Sequence, residues 1–160
     1  MLRFLKLLFS PIASVPMPDG RQIGFWSKEE LSDLSPRLAR IFEVSSLDRD
    51  YENAWEWLES TTTDGLHVNI SRTHDWETGD HHLPVVVSLR RGGGFLSAEE
   101  VERWARKLAE SLDVDVSVGS VTEEETKTSE YGFRCDHVFY KPSRGQPDGT
   151  DNDRAAPRRV

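Results

Sequence analysis

Four segments of the 160-residue chain are predicted to form β-strands, three because apolar and polar side chains alternate with a two-residue period and one because of a run of valines. The segments are LHVNISR (66–72), PVVVSLR (84–90), VDVSVGSV (114–121) and FRCDHVFY (133–140). The three successive valines of PVVVSLR favour a central strand with both faces partly covered. In FRCDHVFY the alternation puts four residues on one face: Phe133, Cys135, His137 and Phe139. A chain with this pattern is predicted to build its core on a sheet.

The segment 97–112 predicts an amphipathic helix. Ser97 and Glu100 have the spacing of a capping box, in which each side chain bonds to the backbone of the other residue. Apolar residues then recur at steps of three and four and form one stripe: Val101, Trp104, Ala105, Leu108 and Leu112. This stripe is expected to pack on the sheet.

A second helix is predicted from Asp50 to Glu59. Its apolar residues fit one helical face: Tyr51, Ala54, Trp55 and Leu58. Trp57 falls off this stripe, so it is either an exposed contact residue or a residue covered by the N-terminal arm. Residues 28–45 stay open between short helices, which their capping residues favour, and a strand at IFEV.

The order of these elements favours the α+β class. Helix, strand, strand, helix, strand, strand implies an antiparallel or mixed sheet of four to five strands with two main helices on one face. A ferredoxin-like sandwich is the first architecture that we expect. A β-meander with flanking helices is the alternative.

The chain ends differ in composition from its middle. Residues 1–20 carry prolines and a Pro-Asp-Gly turn after an apolar start, and we expect an N-terminal arm or linker. Residues 142–160 have almost no large apolar side chain, which predicts a disordered tail. A single α+β domain is therefore expected over 21–141.

The apolar start and the cysteine content bear on the compartment. The uninterrupted apolar run Leu7–Phe9 is shorter than the roughly seven residues of a signal-peptide core. The start could still form a short amphipathic turn that docks on the domain, on a partner or on a membrane surface, although its two basic residues are too few for firm membrane association. The single Cys135 cannot form an internal disulfide. We expect a cytoplasmic protein.

Charge narrows the class of partner. The whole chain has a formal net charge of -8, and residues 21–140 hold 13 basic against 24 acidic side chains. A domain this acidic repels phosphate backbones, so nucleic acid is not an expected partner. Another protein with a basic surface is attracted instead.

The segment THDWETGDHH, 73–82, joins two predicted strands and is longer than an ordinary hairpin loop. Its Trp76 lies among acidic residues, the pattern of an aromatic anchor inside a charged rim. The predicted binding residues are therefore Trp76, Asp75, Glu77 and Asp80, together with Trp57. The alternative is an ordinary solvated loop with its tryptophan folded back. Adjacent histidines without a nearby cysteine do not have metal-ligand spacing, so no metal or cofactor is predicted.

GLHVNIS and CDHVFYK each place a histidine inside an apolar strand, at His67 and His137. This pattern resembles the two-histidine phosphoesterase superfamily, in which the histidine of each strand motif lies two residues before Thr or Ser. The corresponding positions here are Asn69 and Phe139, and the second departs from the family pattern. Strand parity places the first histidine on a polar face and the second on an apolar face, so a shared site would need a bulge.

These observations favour a small, acidic, non-enzymatic binding protein of bacterial type. Its expected mode is that of an immunity protein or inhibitor, in which carboxylates steer association and tryptophans hold the complex. The first alternative is a phosphoesterase-like hydrolase that uses His67 and His137. The second is an accessory component whose N-terminal arm docks on a protein assembly.

Overall fold

The computed structural model describes residues 20–73, Thr78, His81, 83–124 and 130–142. The described chain contains the helices α1 (Leu31–Phe42) and α2 (Ala98–Leu112). Its strands are β1 (Gln22–Phe25), β2 (Asp48–Glu52), β3 (Trp55–Thr61), β4 (Leu66–Thr73), β5 (Val85–Arg91), β6 (Gly94–Phe95), β7 (Val116–Glu124) and β8 (Glu130–Phe139). The predicted arm over 1–20 and tail over 142–160 lie almost entirely outside the described residues.

All the strands belong to one antiparallel sheet. The order across the sheet is β2-β3-β4-β5-β1-β7-β8, and the short β6 pairs with β5. The α+β prediction is confirmed, but the sheet has eight strands where four to five were predicted. The ferredoxin-like form of the prediction is not confirmed. The extra strands come from β1 and β6, which no sequence pattern had indicated, and from the hairpin of β2 and β3.

The main core lies between the two helices and one face of the sheet. Side chains of one parity on the central strands are fully buried there, among them Val68, Val87 and Val118. From α2, Ala105 and Leu108 are equally buried in the same core. We call this side the helix-covered face and the opposite side of the sheet the open face. Because side chains alternate along every strand, the register that fills the core also fixes which residues lie on the open face.

The helix predicted from Asp50 to Glu59 is wrong. The segment forms the hairpin of β2 and β3, and a two-residue turn begins at Asn53, whose φ is +52°. A positive φ is tolerated by asparagine and reverses the chain within two residues. The hairpin persists because β3 pairs along its whole length with β4, where Leu58 faces Ile70 within the core.

The structure also tests the predictions for residues 97–112 and 28–45. The helix at 97–112 and its capping box are confirmed: the Glu100 backbone N–H donates to Ser97 Oγ, and the Ser97 N–H donates to Glu100 Oε2, each at 3.3 Å. The open question at 28–45 is settled as one helix, α1, which continues through Pro36. The structure therefore has two helices, α1 and α2, but only α2 is one of the two main helices that the sequence predicted.

The four predicted strands are confirmed as β4, β5, β7 and β8, with one irregularity. Val118 pairs with His137, but Gly119 pairs with Cys135, so Asp136 is an extra residue in β8. This bulge reverses the parity of the strand, as an added residue must. Phe133 therefore lies on the open face and packs against Val86 there, while Phe139 lies in the main core. The predicted common face of the four alternating residues is wrong for this reason.

Gly119 permits the bulge because a β-carbon at this position would lie 1.8 Å from the Arg134 carbonyl oxygen. Gly119→Ala is therefore expected to lower the free energy of unfolding by about 3 kcal/mol or more, since backbone would have to move. Gly94→Ala is the matched control, because its β-carbon would have an ordinary 3.7 Å contact. Urea unfolding followed by tryptophan fluorescence measures both, and equal midpoints for the two variants would contradict this description of β8.

Candidate functional site

The sequence-predicted binding residues fall into two groups. Trp76, Asp75, Glu77 and Asp80 lie outside the described residues, so their prediction stays untested. Trp57 is described and is half-buried on the open face of β3. The structure places it beside residues that the sequence patterns had not connected with it.

Trp57 and Trp55 line a shallow depression on the open face. Its volume is about 470 Å³, within the range of ligand-binding clefts. The depression is open to solvent, and its remaining walls are polar: Glu52, Asn53, Asn69 and Ser71. Both indoles project on this side because they are two residues apart on one strand.

Pairing of β3 with both neighbours arranges the site in three cross-strand rows. The rows are Glu52–Trp55–Thr73, Asp50–Trp57–Ser71 and Asp48–Glu59–Asn69. Each row starts on β2, crosses β3 and ends on β4, and successive rows are about 6.8 Å apart along the strands. Directly opposite β-carbons within a row are about 4.5–5.5 Å apart. Each tryptophan therefore has a carboxylate on one side and a hydroxyl on the other.

Four exposed carboxylates give this part of the open face its charge: Asp48, Asp50, Glu52 and Glu59. Within the described part of the chain, none of the four forms an ion pair with a lysine or arginine. Arg49, the only basic residue of β2, has the opposite parity and binds Glu56. The nearest basic strand position on the open face is Arg90 of β5, whose guanidinium lies 5.0 Å from the centre of the Phe95 ring.

Glu56 and Arg72 are buried charges on the helix-covered face, directly beneath the rows. Each is only 1% exposed, and they face each other across β3 and β4. The Arg49 Nε donates to Glu56 Oε1 at 2.6 Å, which compensates the buried carboxylate. Burial lowers the pKa of Arg72, and the charges of Glu30 and Glu56 oppose that shift.

Arg72 also holds three separate segments together. Its Nη1 donates to the Glu29 carbonyl at 2.9 Å, and its Nη2 donates to the Ser27 carbonyl at 3.1 Å. The His81 Nε2 lies 3.1 Å from Nη1. An arginine has only donors, so a hydrogen bond between these two atoms has the imidazole nitrogen as its acceptor. The contact brings His81 to the buried end of β4.

His67 and His137 are not brought together. By register, His67 lies on the open face of β4 and His137 on the helix-covered face of β8. Their strands are four positions apart in the sheet, which separates them by about 19 Å. Neither histidine can then reach a substrate held by the other. His137 is exposed and meets the edge of the Phe139 ring, with the centroids 4.7 Å apart.

Other chemistry is equally sparse in the described residues. Across 20–73, 83–124 and 130–142, no three His, Cys, Asp or Glu side chains are grouped so as to hold a metal ion. Burial raises the pKa of the Cys135 thiol, the charge of Asp136 adds to this, and Sγ donates to the His137 carbonyl at 3.4 Å. Such a thiol is a poor nucleophile.

Comparison with known proteins gives no family for this chain. No protein-family profile matches it, and neither a curated protein nor a solved structure is significantly similar to it. Among the described elements, neither helix combines the length and the apolar character that crossing a membrane requires. The function must therefore be inferred from the geometry of the open face.

The sequence patterns did not predict most of the residues of this site. The patterns singled out Trp57, but they placed Trp55 on the apolar face of a helix and assigned no binding role to the carboxylates of β2. The signal that could have revealed them was the alternation in WEWLE, where Trp55, Trp57 and Glu59 share one strand face. The helical spacing of other residues in the same segment concealed it.

Arg72→Met is expected to lower the free energy of unfolding by about 3 kcal/mol, because it leaves two carbonyls without donors and Glu56 with less compensation. Arg37→Met is the control, since its surface ion pair with Glu29 contributes about 0.5 kcal/mol or less. Chemical unfolding monitored by circular dichroism gives both values. A loss at Arg72 no larger than the control would show that the buried network does not join these segments.

Proposed function

We propose that this protein is a small acidic binding module whose open sheet face accepts a basic surface of another protein. The observation that carries the proposal is the depression walled by Trp55 and Trp57 and flanked by carboxylates without cationic partners among the described residues. Aromatic anchors surrounded by polar groups are the usual composition of a protein-binding hot spot.

The charge supports a basic protein more than other partners. A net charge of -8 steers a basic surface toward the domain and repels phosphate backbones. The carboxylates stand at the solvent-exposed rim, where charges raise the rate of association, and the indoles stand at the centre, where burial slows dissociation. This division of roles matches the expected mode of an immunity- or inhibitor-type protein.

The segment that carries Trp76, Asp75, Glu77 and Asp80 belongs to the same proposal. It follows directly on Thr73, the β4 member of the first cross-strand row. Its acidic and aromatic composition suits a basic partner in the same way. We further propose a bacterial cytoplasm as the compartment, which the single free thiol, Cys135, supports.

Selection from a random twelve-residue peptide library tests this function even though the natural partner is unidentified. The wild-type protein is expected to enrich peptides rich in arginine and lysine. Trp57→Ala should weaken binding of an enriched peptide about 30-fold in calorimetry, the effect of losing a hot-spot residue. The double variant Asp50→Asn, Glu52→Gln should slow association and reduce its dependence on salt.

Trp26→Ala is the matched control, because Trp26 is 41% exposed and does not line the depression. It should bind the enriched peptide as the wild type does. Circular dichroism and urea midpoints establish that each variant is folded. Enrichment of neutral or acidic peptides, or equal affinity of the Trp57 and Trp26 variants, would reject the proposed surface.

A further inference from the structure

The cross-strand rows limit which basic partner fits, if the proposed function is correct. In the first two rows an indole lies between a carboxylate on β2 and a hydroxyl on β4. A planar cation laid on the indole would meet the carboxylate at its edge. This arrangement favours a guanidinium, which stacks on aromatic rings and donates in-plane N–H groups in a fork. The ammonium group of lysine carries the same charge, but it is not planar and cannot stack on a ring in this way.

The third row, Asp48–Glu59–Asn69, favours binding of a cation for a different reason. Asp48 and Glu59 are directly opposite in the ladder and both are exposed. Like charges in directly opposite positions destabilise a strand pair. Within the described residues no basic side chain forms an ion pair with either of them, so a ligand cation would remove an existing repulsion.

The spacing of the rows selects the conformation of the ligand. Successive rows repeat every two residues, about 6.8 Å. Side chains on one face of an extended peptide have the same repeat, whereas neighbouring side chains point to opposite sides. We infer that the open face accepts an extended arginine-rich segment of the partner, lying along β3, with arginines at alternate positions.

The edge of β2 is a poorer place for the same segment. The Tyr51 backbone N–H already donates to Asp50 Oδ1 at 2.8 Å, so a side chain occupies a donor that an added strand would use. Charged residues along DRDYE also protect an edge from strand addition. The ligand is therefore placed across the face of the sheet.

Three seven-residue peptides test the inference on the full-length protein by calorimetry at low salt. TRTRTRT places its arginines at alternate positions, RTTRTTR has the same composition and charge at a different spacing, and TKTKTKT replaces arginine by lysine. TRTRTRT is expected to bind about tenfold more tightly than either of the others, because only it stacks guanidinium groups on both indoles.

Variants of the protein test whether the preference for TRTRTRT arises at the cross-strand rows. Trp57→Ala and Asp50→Asn should each reduce the advantage of TRTRTRT over RTTRTTR to about threefold or less. The second variant preserves the test if the first fails to fold. Tyr51→Ala is the control on the same strand, because Tyr51 is exposed on the opposite face, and it should keep the wild-type preference.

The outcomes separate this inference from the function on which it rests. Equal affinity for TRTRTRT and RTTRTTR overturns the alternate spacing, and equal or tighter binding of TKTKTKT overturns the choice of arginine, while in both cases a basic partner stands. Binding of none of the three peptides to the wild-type protein rejects the inference together with the proposed function.

Discussion

The hydrophobic core between the two helices and one face of the sheet fixes the arrangement of the rest of the molecule. Each fully buried valine or leucine in this layer stabilises the fold by about 1.5–3 kcal/mol. Val68, Val87 and Val118 on three strands belong to the core that both helices cover, so the register of those strands cannot slip by one residue without exposing the core. The same register holds the carboxylates and indoles of β2 and β3 on the side that the helices leave open.

The sequence predicted the elements whose pattern is local. The helix at 97–112 carries its capping box and apolar stripe within its own residues, and the three alternating segments and the valine run likewise specify strands. The hairpin of β2 and β3 was mistaken for a helix because Tyr51, Ala54, Trp55 and Leu58 also fit helical steps. Over ten residues the two periods overlap, and the decision comes from a non-local contact, the pairing of β3 with β4. The tertiary pairing outweighs the local preference.

The candidate site was still harder to predict, because its residues become neighbours only through the pairing register of β2, β3 and β4. Trp57 was recognised as unusual, but its relation to Asp50 and Ser71 exists only once three strands are aligned. The separation of His67 and His137 could be argued from alternation, yet the alternation of β8 is interrupted by a bulge. That bulge requires the backbone of Arg134 to lie close to Gly119, and no pattern in the sequence predicts this contact.

The distribution of charge between the two faces explains how the proposed acidic binding surface can coexist with a stable fold. Arg49 and Arg72, the cations nearest the rows, are directed to the helix-covered face, where one compensates Glu56 and the other satisfies backbone carbonyls. Removing either would leave buried polar groups without partners, so these cations cannot swing out to neutralise the carboxylates above them. The carboxylates of the open face therefore keep their charge without an ion pair to Arg49 or Arg72, and this is the negative potential that the proposed basic partner would meet.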